Sequence, residues 1–314
     1  MSTPLLQKKE RFRSFGVLLL RGFLALIFLV ILFQFVNLQD VIASLLKARI
    51  EYLIGALVLV LANLGLQLLK WRYFVRLINP SNSNLETTAS LLFGITLGAI
   101  TPGQLGEFGG RALRHSSIAP GAILGLTLVD KLQTMCIMAI TGIGSLSILL
   151  PVPAVLGTTC RILVLAVALS LFFNPGVIIW LISKIRKSYL EKAWIRDFTE
   201  AVRIFRLDHL VIAFVLTCLF YIVLFVQMFL LLNAFGNVGL DDAFLGFAAM
   251  MFLKALIPIS LGDLGIREAG SVYFYSLRGI AHATALNASL LLFVINVLLP
   301  SILGLIFMPK SWSR

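Results

Sequence analysis

Charge is scarce in this chain. Asp, Glu, Lys and Arg together make up 13% of its 314 residues, well under the ~25% usual in a soluble domain. They are clustered, and long stretches carry almost none. With 60% hydrophobic residues and a mean hydropathy of +1.01, an ordinary soluble domain is excluded and an all-α polytopic membrane protein is expected. Cysteine is nearly absent: Cys136, Cys160 and Cys218 share no spacing that makes a disulfide framework or a zinc pattern. His115, His209 and His282 are scattered, with no acid at ligand spacing, so no metal and no cofactor is expected. No Gly-Lys-Ser/Thr phosphate loop occurs, which argues against an ATP-driven pump within this chain.

The charge present is biased: 26 basic residues against 14 acidic give a net +12. In a soluble protein that excess points to nucleic acid. In a membrane protein it marks loops facing anionic headgroups, so membrane lipids and not nucleic acid are the expected partners. Lys8, Lys9, Arg11, Arg13 and Arg21 precede an apolar run that ends Gln34-Phe35-Val36. Without a small-x-small cleavage site this reads as an uncleaved first helix, not a signal peptide.

Spanning candidates fall at roughly 17–36, 52–70, 132–150, 162–182, 209–234 and 288–308, each near the ~20 apolar residues that cross a hydrocarbon core. Residues 87–101 and 243–257 are apolar too, but about fifteen residues reach only ~22 Å. Each is followed by a further modest segment, at about 118–130 and 271–286. A short helix, a break and a short return form a re-entrant hairpin, tolerated at membrane depth only where it is buried in protein or lines a wet cavity.

What breaks these helices is a duplicated pattern. Pro102-Gly103-Gln104-Leu105-Gly106-Glu107-Phe108-Gly109-Gly110-Arg111 recurs as Pro258-Ile259-Ser260-Leu261-Gly262-Asp263-Leu264-Gly265-Ile266-Arg267, followed by Glu268. Both read Pro-x-x-Leu-Gly-acid-apolar-Gly-x-Arg, almost half the chain apart. The chain therefore reads as two membrane repeats, 1–157 and 158–314, forming one integral membrane domain. The N-terminus, the segment from Lys70 to Arg76, the loop from Lys184 to Arg206 and the C-terminus are basic, whereas 151–160 and 235–242 are not. About six crossings place every strongly basic segment, and both termini, in the cytoplasm. The first repeat then starts inside and the second outside, so the repeats are inverted. Each has about three spanning helices plus one hairpin, and the two motifs should meet near mid-membrane.

Charge buried in the bilayer costs about 2.5–3.5 kcal/mol per residue on insertion scales and persists by facing a cavity and pairing. The candidate substrate-binding residues are Glu107, Arg111, Asp263, Arg267 and Glu268, with Asp130 and Lys254 beside them. The arginines suit a phosphate, which their planar fork can bind twice. The carboxylates could hold a cationic headgroup, take up a coupling proton or pair with the arginines. Glu107–Arg111 and Asp263–Arg267, at i,i+4, could instead simply lock a turn. Asp130-Lys131 reads equally as a pathway ion pair or an interface anchor, and Lys254 as a cavity contact or a snorkelling side chain. Pro102, Gly103, Gly106 and Gly109, with Pro258, Gly262 and Gly265, are the expected breakers that let backbone approach a ligand. The loop with Glu191, Lys192, Arg196, Asp197, Glu200, Arg203 and Arg206 is read as a solvated linker, with a surface amphipathic helix as the alternative. Gly121 and Gly125 are a small-xxx-small match expected in internal packing.

On Pro102, Gly106, Glu107, Arg111, Pro258, Gly265, Arg267 and Glu268 the chain resembles the lysylphosphatidylglycerol synthase transmembrane family over nearly its whole length. That resemblance implies a bacterial or archaeal inner-membrane protein whose relatives move aminoacylated phospholipids between leaflets or serve polyprenyl-linked and hopanoid lipid pathways. Relatives often carry arginine where this chain has Lys131, and consecutive glycines near Gly262, where this chain places Asp263. The chain ends at Arg314, so the aminoacyltransferase domain of bifunctional relatives is not expected. The leading expectation is a flippase for an anionic or aminoacylated phospholipid or a lipid-phosphate, working alone or beside a lipid-modifying enzyme. The alternatives are a membrane-embedded enzyme or accessory subunit acting on polyprenyl-phosphate or other lipids, and a carrier of small soluble anions.

Overall fold

The computed structural model describes residues 38–308 apart from 152, 174–175, 185–191 and 258–263. The candidate first span at 17–36 lies outside these, as do Pro258, Gly262 and Asp263. The described chain is helical: α1 (Leu38–Leu46), α2 (Ile50–Ile78), α3 (Asn84–Ala99), α4 (Gly106–Leu113), α5 (Pro120–Leu149), α6 (Ala154–Phe173), α7 (Gly176–Ser183), α8 (Ala193–Arg203), α9 (Leu207–Phe235), α10 (Leu240–Leu256), α11 (Ile266–Ser276), α12 (His282–Phe293), a π-helical turn (Val294–Leu298) and α13 (Leu299–Leu305). The segments Ile50–Ile78, Pro120–Leu149, Leu207–Phe235 and His282–Leu305 are long and apolar enough to cross a bilayer. The protein is a multi-pass, all-α membrane protein.

Proline and glycine set the boundaries. Asn79 precedes Pro80 and is extended, at φ −131° and ψ 94°, because a residue before proline is driven out of the α region. The next helix is capped by Ser83, whose hydroxyl accepts from Leu85 N–H at 3.3 Å. Pro120 opens α5, where its missing N–H costs nothing. Near the C-terminus Pro300 has no N–H for the Asn296 carbonyl, and Leu299 N–H bonds back to Val294 instead, giving the π turn.

The element order repeats. A 29-residue helix, a short helix, a break, a shorter return and a last long helix occur as α2–α5 and again as α9–α13. The two series of helices interlock. The opening helices α2 and α9 pack on each other, α10 packs on α5, and α3 packs on α13. Thr96 on α3 donates to the Ser301 carbonyl at 2.8 Å. A Cβ on Gly142 of α5 would come within 2.7 Å of Phe252 Cγ on α10. Two apolar cores result, one around Trp71, Phe74, Leu91 and Leu126, the other around Met228, Phe247, Met250 and Tyr275.

Several boundaries differ from the sequence reading. The short helices after the two breaks are α4 and α11; 118–130 falls mostly in α5, whereas 271–286 takes in the end of α11 and the start of α12. Lys70–Arg76 is not a loop but the end of α2, and Lys70 is buried. The loop before α9 is not wholly solvated: α8 docks on α5, and a Cβ at Gly125 would sit 2.8 Å from the Phe198 carbonyl. The Gly121–Gly125 stripe is therefore an internal packing notch.

Candidate functional site

The first break turns on Thr101–Leu105. Gly103 and Gln104 have φ of 54° and 58°, and Gln104 is the one non-glycine with positive φ among the described residues. Such a conformation costs on the order of 1–3 kcal/mol and needs surrounding support. Thr101 supplies it, since its hydroxyl donates to Leu97 O at 2.9 Å and accepts from Gly106 N–H at 2.6 Å. The glycines here serve helix contact more than ligand approach. A Cβ on Gly106 would overlap the Leu97 carbonyl, and one on Gly110 would lie 2.8 Å from Gly94 Cα. Gly109 faces open space. In the second half Gly265, at φ 91°, is the N-cap of α11.

This tight fold of α4 on α3 turns Glu107 and Arg111 inward, where they join a five-member ladder of alternating charge. Lys70 Nζ is 2.5 Å from Asp130 Oδ1, and Arg111 Nη1 is 2.8 Å from Asp130 Oδ2. Arg111 Nη2 bonds Glu107 Oε1, and Glu107 Oε2 takes Lys131 Nζ. Lys70, Glu107, Arg111 and Asp130 are each at most 7% exposed. The ladder is braced on both sides. Lys70 also donates to Thr217 at 3.2 Å, and Lys131 to Gln104 at 3.2 Å. The Arg111 guanidinium lies 4.3 Å from the Trp71 ring centre, within cation–π range. Arg111 Nε has no hydrogen-bond partner among the described residues.

In the second half Arg267 Nε donates to Glu268 at 3.1 Å and to Ser289 Oγ at 3.3 Å. The other Glu268 oxygen accepts Gly265 N–H at 2.7 Å, capping the helix. Glu268 is fully buried and forms no part of the cavity wall. Its place is behind Arg267, as cap and counter-ion.

The two halves meet at a cavity of about 140 Å³, room for about five waters at the ~30 Å³ each takes in the liquid. Arg111 and Arg267 both line it, with Glu107, Asp130, Lys131 and Lys254. It sits at mid-depth. Asn63 and Gln67 on α2, Thr134 on α5, Phe220 on α9 and Leu292 on α12 all lie near the middles of their spanning segments and all face it. Asp130 and Lys131 line this cavity as well. Lys70 also lines the cavity; a lysine next to Trp71 resembles an interface residue, and only its reach to Asp130 reveals it. Asn63, Gln67 and Asn296 are likewise on the wall. Their one signal in sequence is an amide inside an apolar run. Asn296 and Val297 are presented by the π turn, a distortion often found at functional sites.

A model of the family described as Lysylphosphatidylglycerol synthase TM region matches residues 15–304. No curated protein matches the chain. The chain belongs to the lysylphosphatidylglycerol synthase transmembrane family, and is a membrane protein related to lipid handling.

Proposed function

We propose that this member of the family carries the phosphate-bearing headgroup of a membrane lipid between the two leaflets of a bacterial or archaeal cell membrane. It acts as a transporter, not as an enzyme. The observation that carries this reading is that Arg111 and Arg267, from corresponding places of the two halves, line one cavity at the middle of the spanning segments. A bare ion in hydrocarbon costs many kcal/mol, and the midplane is where that cost peaks for a headgroup in transit. Guanidinium and ammonium groups held at that depth lower the peak. The cavity is sized for a headgroup, so the acyl chains stay in the surrounding lipid.

In this reading the two repeats are inverted, both termini are cytoplasmic, and the hairpins enter from opposite faces. Alternating access then follows from rocking one interlocked half against the other around the cavity. Arg111 and Arg267 hold the phosphate, and Lys131 and Lys254 add charge at its edge.

The test is leaflet exchange in sealed vesicles, read by dithionite quenching of a fluorescent phospholipid. Wild-type protein should raise the exchange rate at least about tenfold over empty vesicles, and Arg111→Gln with Arg267→Gln should abolish the gain. Unchanged exchange in the double variant removes the site assignment. A change in the mass of the lipid would replace transport with catalysis.

A further inference from the structure

Unmet hydrogen-bonding capacity gathers at one end of α4. Among the described residues, the buried side-chain nitrogens without a hydrogen-bond partner are Arg111 Nε, Arg114 Nε and both ring nitrogens of His115. Buried polar atoms are nearly always partnered, so each exception calls for a reason. His115 lies just past the end of α4, its side chain 0% accessible. From α3, Glu86 Oε1 stands 3.8 Å from its Nδ1, too far for a hydrogen bond. From α2 it meets the uncharged indole of Trp71, edge to face with ring centres 6.2 Å apart. From α4 the Arg111 charge acts on it, and Arg114 adjoins it in the chain.

Glu86 is occupied elsewhere. Its oxygens accept Ser116 N–H at 2.6 Å, the Ser117 hydroxyl at 3.2 Å and the Asn82 amide at 3.0 Å. These bonds tie the start of α3 to the exit of α4, so Glu86 and His115 belong to one pair of helices. Trp71 stands across the seam on α2. Its indole N–H donates to Ser90 Oγ at 3.2 Å, and Ser90 donates to the Arg111 carbonyl at 3.1 Å. Its ring also carries the Arg111 guanidinium. The seam between Trp71 and His115 therefore also holds Arg111 at the cavity.

We propose that this seam is a proton-operated latch: protonation of His115 draws Glu86 onto the ring and releases α3 and α4 from Trp71, loosening Arg111 and opening the cavity at that end. A neutral imidazole tolerates the dry indole. An imidazolium in the same place would lie beside Arg111 with no hydrogen-bond partner, which burial penalises. It gains a charge-assisted bond once Glu86 closes the gap, and Glu86 sits on the same side of the seam as His115. Protons therefore favour the conformation that gives the ring Glu86 or water over the one that presses it against Trp71, as any ligand favours the state that binds it better. Histidine is the side chain whose charge changes near physiological pH. The latch does not depend on what the cavity carries.

Trp71 itself reports the latch. With Trp180, Trp194 and Trp312 replaced by phenylalanine it is the one tryptophan left, and the full chain in mixed micelles is titrated from about pH 7.5 to 5.5. Acrylamide quenching of Trp71 emission should rise at least about threefold on acidification and reverse on return, with helix content by circular dichroism unchanged. His115→Gln should remove the rise. Glu86→Gln withdraws the carboxylate that favours the imidazolium and should move the midpoint to lower pH by about half a unit or more; it carries the test alone if His115→Gln fails to fold. Flat quenching in the parent single-tryptophan protein overturns the inference. So does a rise that survives His115→Gln, one that tracks loss of helix, or a midpoint that Glu86→Gln leaves in place. Because no lipid movement is read, failure of the latch leaves the carrier reading standing. Absence of leaflet exchange with the quenching change intact removes the carrier reading alone.

Discussion

Replacing Asp130 with asparagine removes one of the two anions of the charge ladder at constant shape. In the wild type Asp130 is shared by Lys70 and Arg111 at 2.5 and 2.8 Å. After the change Lys70 retains the Thr217 hydroxyl and Arg111 retains Glu107, so a buried cation is left without its carboxylate. Removing one partner of a buried ion pair costs about 3–5 kcal/mol, a factor of about 150 to 5,000 in the folded-to-unfolded ratio. The companion change Lys70→Met takes away the stranded ammonium. The double variant should therefore recover about 1–3 kcal/mol relative to Asp130→Asn alone. Unfolding by increasing dodecyl sulfate in mixed micelles, followed by circular dichroism and tryptophan emission, reads all three stabilities. A loss below about 0.5 kcal/mol for Asp130→Asn, or a double variant no better than the single, would refute the view that these charges support one another.

Gly106→Ala should block closure of α4 onto the Leu97 carbonyl and cost about 1–3 kcal/mol or more, whereas Gly109→Ala, facing open space inside α4, should hold the melting temperature or raise it by about 1–3 °C. Pro300→Ala restores the amide donor that the Asn296 carbonyl lacks, so the π turn should revert to α-helix and swing Asn296 off the wall; leaflet exchange should fall while thermal stability holds or rises. Burial, with the Arg111 charge adding to it and Glu86 opposing, holds the pKa of His115 below its usual 6.5. The unfolded chain then binds the extra proton first as pH falls, so this contribution is complete above about pH 6.5 and declines on acidification below it. Melting temperatures from about pH 7.5 to 5 should show that decline, and His115→Gln should flatten it.

The first break was legible because proline, glycine and charge have few other reasons to occur inside apolar sequence; residues 258–263 of its counterpart lie outside the described residues. Glu107, Arg111, Asp130, Lys254 and Arg267 could be singled out by the cost of burying charge, and they do share a wall. The limits of the short helices were not legible. α4 is only eight residues long and holds glycines and two charges, so it has no hydrophobic run to announce it, and the apolar stretch after it belongs to α5. Lys70 was hidden because a basic residue beside a tryptophan at a helix end fits the membrane interface equally well, and α2 simply runs on past it. Glu268 accepts the Gly265 N–H at a helix start, a place where capping and ligand binding both call for a carboxylate. Partners distant in sequence, such as Lys70 with Asp130 or Thr96 with Ser301, depend on how the two halves interlock, which no local pattern encodes.

Accessibility of Thr134 tests the shared chamber most directly, since this residue lies at mid-depth on the cavity wall. Cys136, Cys160 and Cys218 are free thiols and would first be replaced by serine. Thr134→Cys in sealed vesicles is then exposed to a membrane-impermeant maleimide from one face or the other. Labelling from each face in turn, slowed by phosphatidic acid, is the expected result. Labelling from one face only, however long the exposure, contradicts a cavity that opens alternately to the two leaflets.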